Sequence, residues 1–290
     1  MTHFALTTAF GKEIAHRFSN IPEYFKYSFT RNALAVTILI ALCAALLGVI
    51  LVLRRFSLIG DGLSHVAFGS AAIAATLGIF DFGLTLPITV IAAIIILKGG
   101  EKRRIMGDAA IAIISSGALA VGYLVLDSGG GTANLGGDVC TALFGSSAIL
   151  SIDTVELVFT AILTAILTAL IVIFYHRIFS VSFDERFSKA TGLKTDRYNL
   201  AIAVVTAIVI VIGMKLAGAL LMSALIVFPA MSAMRISKSF KGTLILSAVI
   251  GTLCAAFGLI LSIILETPVG ATVAACDVLA FAVFSIIKRK

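Results

Sequence analysis

Three polar residues near the start of one apolar stretch offer the clearest chemistry in this chain. The stretch runs from Leu58 to Leu77, LIGDGLSHVAFGSAAIAATL, and carries Asp61, Ser64 and His65 in its first half. Residues four apart share a helix face, so the Asp61 carboxylate and the His65 imidazole are aimed the same way, with Ser64 beside them. Carboxylate oxygen and imidazole nitrogen form a donor set suited to zinc, manganese or ferrous iron, and no cysteine stands nearby to build a tight structural site. Ionisable groups in hydrocarbon cost at least about 2.5 kcal/mol each, so they tend to face a bundle interior and mark a transport path. The competing reading is polar glue, in which the pair only bonds neighbouring helices. Asp277, beside Cys276 in another apolar stretch, poses the same choice between path and helix neighbour.

The elements that must carry these residues are spanning helices. The chain has 290 residues, 60% of them hydrophobic and only 13% charged, where soluble proteins carry roughly a quarter charged. Mean hydropathy is +1.13. Apolar runs of spanning length fall near 33–53, 57–78, 83–98, 108–126, 154–175, 198–213, 216–234, 242–265 and 269–287. The expected fold is an all-α polytopic membrane protein with eight or nine transmembrane helices. Residues 1–32 read as an N-terminal amphipathic arm, 33–287 as the transmembrane domain and 288–290 as a basic cytoplasmic tail. The arm has no apolar core or small-residue cleavage site, so a removable leader is not expected.

Basic residues gather in alternate connections: Arg54 and Arg55; Lys98, Lys102, Arg103 and Arg104; Arg177 to Arg197; Arg235, Lys238 and Lys241; and Lys288 to Lys290. The positive-inside rule makes these connections cytoplasmic. It also explains the net charge of +7 without nucleic acid. Nine spans would export the arm with its Lys12, Arg17, Lys26 and Arg31, whereas one broken or re-entrant run would reduce the crossings to eight. The four cysteines show no C-x-x-C spacing and read as small apolar residues.

Two segments carry potential helix breakers: the Asp61 segment, with Gly60, Gly62 and Gly69, and GMKLAGALLMSALIVFPAMSA, with Gly213, Gly218 and Pro229. Interrupted helices are tolerated where they line a cavity, although small residues also serve close helix packing. The Gly-rich loop from Asp127 to Ser151 contains no G-x-x-x-x-G-K-[ST], nor does the rest of the chain, so ATP is not bound here by a P-loop. The loop reads as an external cap.

Between spans, Ser182 to Leu193 reads SFDERFSKATGL. Ser182 and Glu185 have the spacing of a capping box, and Gly192 is placed to end a helix in the left-handed conformation. Phe183, Phe187 and Ala190 fall on one face, while Asp184, Glu185, Arg186 and Lys189 cover much of the remainder. So short a helix needs a surface: its own protein, the lipid headgroups, or a partner's groove entered by the two phenylalanines.

Several motifs in order resemble the permease subunits of the ABC-3 family of bacterial zinc, manganese and iron importers. They are SLIGDGLSH at 57–65, LFG at 143–145, SFDERFSKATGL at 182–193, LAGALLMSALIVFPA at 216–230 and PVG at 268–270. The resemblance covers about residues 33–287. It implies a core related to the type II ABC importers in a bacterial inner or plasma membrane, with two permease subunits side by side, a homodimer being expected. It also implies separate cytoplasmic ABC ATPase subunits, which hold the ATP, and an extracytoplasmic metal-binding protein. The chain would then be no enzyme and hold no permanent cofactor, only a transported ion, zinc first and manganese or iron next. Asp61 and His65 match the family's D-x-x-x-H, which implies metal contact, and Phe183 to Gly192 match the helix that couples to the ATPase. The sequence departs from the family after His65, where Val66 to Gly69 lack a usual proline, and at Lys215 and Val269. Two other cargo mechanisms compete: an ABC permease for a metal chelate, and a proton-coupled secondary carrier, which would have no use for a dock at 182–193.

Overall fold

The computed structural model describes residues 23, 25–79, 81–102, 107–128 and 152–287. Most of the arm, the 129–151 part of the Gly-rich loop with its LFG motif, and the basic tail lie outside the described residues. Among the described residues nine long helices occupy the expected runs: α1 (Ser28–Leu53), α2 (Ile59–Leu77), α3 (Asp81–Lys102), α4 (Gly107–Ser128), α5 (Thr154–Ile173), α8 (Thr195–Ala217), α9 (Ala219–Ile236), α10 (Phe240–Leu265) and α11 (Val269–Ile287). Two short helices, α6 (Tyr175–Phe183) and α7 (Glu185–Ala190), sit between α5 and α8. Seven of the long helices have the length and hydropathy to cross a membrane, and α3 contributes a shorter apolar stretch, Phe82–Leu97. The pair Asp61 and His65 interrupts the apolar sequence of α2. The chain is therefore a multi-pass helical membrane protein.

Helix α1 is the hub. It packs against α5, α8, α9 and α10, and most of its length is buried. Lipid is as apolar as leucine, so close backbone approach and a few polar ties must hold such helices together. Both devices are present. A Cβ at Gly122 of α4 would lie 2.7 Å from the Gly69 Cα of α2, and one at Gly69 would run into the Ala118 carbonyl, so this crossing admits only glycine. Ser247 of α10 donates to the Ala45 carbonyl of α1 at 3.0 Å, and the Cys43 thiol of α1 donates to Thr164 of α5 at 3.3 Å. The rim helices α4, α5 and α11 leave apolar side chains such as Leu124, Val155 and Leu279 facing outward, as lipid contact requires.

Among the described residues, the basic connections after α1, around α6 and α7 and before α10 meet at one end of the bundle. Arg54, after α1, lies 3.4 Å from Glu185 of α7, and the Tyr175 and Phe179 rings of α6 lie 5.4 and 5.2 Å from Phe240 at the start of α10. It is the end that the positive-inside rule leads us to expect on the cytoplasmic side.

Three local expectations need correction. The stretch 182–193 is not one helix, because the chain bends at Asp184 (φ −145°, ψ 95°) between α6 and α7. Ser182 is consequently not the cap; it is buried inside α6, its hydroxyl without a hydrogen-bond partner among the described residues. Asp184 caps instead, its carboxylate accepting from the Phe187 amide at 2.9 Å. The break expected at Pro229 is absent: α9 runs through it, and Gly251 of α10 leaves room for the ring, a Cβ there standing 3.3 Å from the proline Cγ. Neighbouring helices can stabilise a proline within a spanning helix in this way. Likewise α2 is continuous through Gly60, Gly62 and Gly69. The break does occur at Gly218, whose φ of +91° and ψ of 158° separate α8 from α9.

Candidate functional site

Asp61 and His65 stand in the first two turns of α2, about 3 and 9 Å along a helix about 28 Å long at 1.5 Å per residue. They are therefore near the basic end of the bundle. The flanking glycines explain which way they face. Gly60 abuts Ile226 of α9 and Gly62 abuts Ile111 of α4, which seats two sides of α2 against neighbours and leaves the third open. On that open side Asp61 Oδ1 lies 3.6 Å from His65 Nε2, with the side chains 52% and 21% exposed. The His65 Nδ1 is buried without a hydrogen-bond partner among the described residues. This geometry presents two potential metal donors from one face, too few for a closed tetrahedral site. Among the described residues no group of three or more His, Cys, Asp or Glu could hold a metal.

Ser64 does not point with them. It is fully buried, and its hydroxyl donates back to the Gly60 and Asp61 carbonyls at 2.5 and 3.1 Å. Asp277 of α11 is also separate: it is 1% exposed beside the Cys254 thiol of α10, and neither carboxylate oxygen has a hydrogen-bond partner among the described residues. Lys215, at the far end of α8, stands 3.9 Å over the Phe82 ring of α3.

The second feature is the α6–α7 element at the basic end. Its C-terminus has the expected form: Gly192 takes φ +85°, its amide donates to the Lys189 carbonyl at 3.1 Å, and the Leu193 amide donates to the Ser188 carbonyl at 3.1 Å. This is the Schellman pattern. Two residues that sequence reasoning missed, Asn199 and Ser188, help fix α7 to the bundle. Glu185 accepts from Asn199 of α8 and pairs with Arg54, and Ser188 exchanges a 2.8 Å hydrogen bond with Ser180 of α6. The near-complete burial of Asn199 was not legible from its polar type. Phe183 and Phe187 remain outside these ties, each 63% exposed, with the Phe179 ring tilted 4.8 Å from that of Phe183. Ala190 and Asp184 are exposed as well.

The bundle, its open Asp–His face and its exposed aromatic element together define a membrane protein of transporter type. Comparison with known proteins makes this specific. Residues 26–288 match the model of the ABC 3 transport family, and the chain belongs to that family. It is 28% identical to the manganese import system permease protein ScaB of Streptococcus gordonii over 264 residues, which is 91% of this chain and 93% of that one. It is 27% identical to the high-affinity zinc uptake system membrane protein ZnuB of Haemophilus influenzae, covering 89% of this chain and 97% of the other. The structure of PsaBC from Streptococcus pneumoniae in complex with Fab superimposes with a TM-score of 0.78 at 29% identity, over 93% of this chain and 95% of that one.

Proposed function

We propose that this chain is the permease subunit of an ATP-driven importer of divalent transition metal ions. The observation that carries the proposal is the open Asp61–His65 face on α2 of an ABC 3 family bundle. Two donors from one chain leave coordination positions free, so two copies facing each other would offer a carboxylate and an imidazole each. A set of that kind holds an ion weakly enough to release it. It accepts both zinc and manganese. At equal availability the affinity order favours zinc, while relatives of similar identity are named for each metal.

Energy would come from separate cytoplasmic ABC ATPase subunits, since this chain lacks a P-loop. The exposed Phe183 and Phe187, held on a capped element at the basic end, are the anchors a partner's groove would receive, with Asp184, Glu185, Ala190 and Gly192 shaping the element. An extracytoplasmic binding protein would deliver the ion at the opposite end. The test is uptake of radiolabelled zinc and manganese into proteoliposomes containing the permease, its ATPase and its binding protein. Accumulation should require ATP, and Phe187→Asp should break the link between hydrolysis and uptake. Accumulation without any ATPase, following an imposed proton gradient, would show a secondary carrier instead.

A further inference from the structure

An apolar groove of about 450 Å³ opens at the basic end between α1, α5 and α8. Its walls include Leu47, Ile50, Leu167, Ile171, Ile202 and Val205. From Lys194 to Val205 along α8 it reaches about 16 Å toward the membrane centre at 1.5 Å per residue. That depth matches the hydrocarbon thickness of one leaflet, about half of 30 Å. The mouth carries three cations, Arg177, Lys194 and Arg197. Arg177 donates to the Tyr198 hydroxyl at 2.7 Å, and no carboxylate pairs with any of the three among the described residues. The contrast with their neighbours is informative: Lys189 and Arg54, a few residues or one helix away, both lie against carboxylates.

Cations without counter-ions above a greasy slot one leaflet deep ask for an amphiphile with an anionic head. We propose that this groove binds an anionic phospholipid of the cytoplasmic leaflet, one acyl chain along α1, α5 and α8 and the phosphate on Arg177, Lys194 and Arg197. Basic pockets between spanning helices on the cytoplasmic side have this chemistry, and guanidinium groups grip phosphate through paired N–H donors. The adjoining outer face of α5, with Val172 and Ile173 exposed, is lipid-facing and gives the chain a lateral way in. A soluble partner would reach the cations but not the slot. The proposal is independent of the transported ion. Because Gly192 and Leu193 also line the groove, the bound lipid would brace the turn that ends α7.

The test is native mass spectrometry of the full-length protein released from detergent, titrated with phosphatidylglycerol, phosphatidylcholine or inorganic phosphate. Two variants attack the site by different means. Arg177→Gln/Lys194→Gln/Arg197→Gln removes the charge, and Ala201→Phe, at an exposed position on the groove, fills the slot. Wild type should retain phosphatidylglycerol in preference to phosphatidylcholine. The triple variant should lose that retention on the order of 100-fold, as expected for three basic groups near a lipid head. Ala201→Phe should also lose it, with cations intact. Equal retention of the two lipids, unchanged retention in either variant, displacement by inorganic phosphate alone, or protection of the groove only in a dimer of this chain would each overturn the assignment.

Discussion

Replacing Glu185 by Ala should loosen α7 without unfolding the bundle. A helix of six residues is far below the length that is stable alone, so its order comes from its ties. Glu185 supplies its ties to the end of α1 and to α8: its carboxylate sits 3.4 Å from Arg54 Nη2 and accepts from Asn199, and within α7 it lies 3.7 Å from Lys189. The Arg54 and Glu185 side chains are 6% and 18% exposed, which makes this a largely desolvated pair. Breaking a fully buried pair costs about 3–5 kcal/mol; because Arg54 has further contacts and Glu185 retains some water, about 2 kcal/mol is expected here. That corresponds to roughly 30-fold more frequent opening of the α7 amides. Hydrogen exchange of residues 187–193 in the full-length protein reads this directly. Arg54→Met should act on the same amides, and the double variant should fall well short of the sum, with a coupling of about 1 kcal/mol or more. Exchange within twofold of wild type in Glu185→Ala, or strictly additive effects, would refute the argument that this pair holds α7.

Other positions make equally definite demands. Gly69→Ala puts a methyl group into the Ala118 carbonyl of α4, so the α2–α4 crossing must open, at about 1–3 kcal/mol and a visibly lower Tm; the same change at Gly117, where a Cβ meets nothing, should be silent. Asp184→Ala removes the side-chain acceptor for the Phe187 amide and should cost about 1 kcal/mol, read as faster exchange confined to the start of α7.

The long helices were legible because their signal is cumulative. Nine runs of apolar residues predict nine helices, and 154–175, 242–265 and 269–287 fall within two residues of the observed α5, α10 and α11. What stayed hidden depends on partners distant in sequence. The S-x-x-E spacing at Ser182 is a valid cap signature, but α6 already runs through Ser182, and the extended backbone at Asp184 gives that carboxylate the capping position instead. Pro229 looks like a breaker until Gly251 of α10 is seen to make room for it. Glycines 60, 62 and 69 read equally well as breaks or as packing surfaces, and only α4 and α9 show that they are surfaces. At the site, the i, i+4 spacing placed Asp61 and His65 on one face, yet it could not show that Ser64 turns inward or that Asp277 lies apart from them.

The central claim is that the Asp61–His65 face touches the ion in transit. The most direct measurement is ATP-dependent uptake of radiolabelled zinc and manganese by the reconstituted complex carrying Asp61→Ala or His65→Ala, with ATPase rate and complex assembly recorded on the same preparations. The account predicts that either change abolishes uptake of both ions while assembly and hydrolysis persist. Uptake at the wild-type rate in either variant would contradict it and return the pair to the role of helix-to-helix contact.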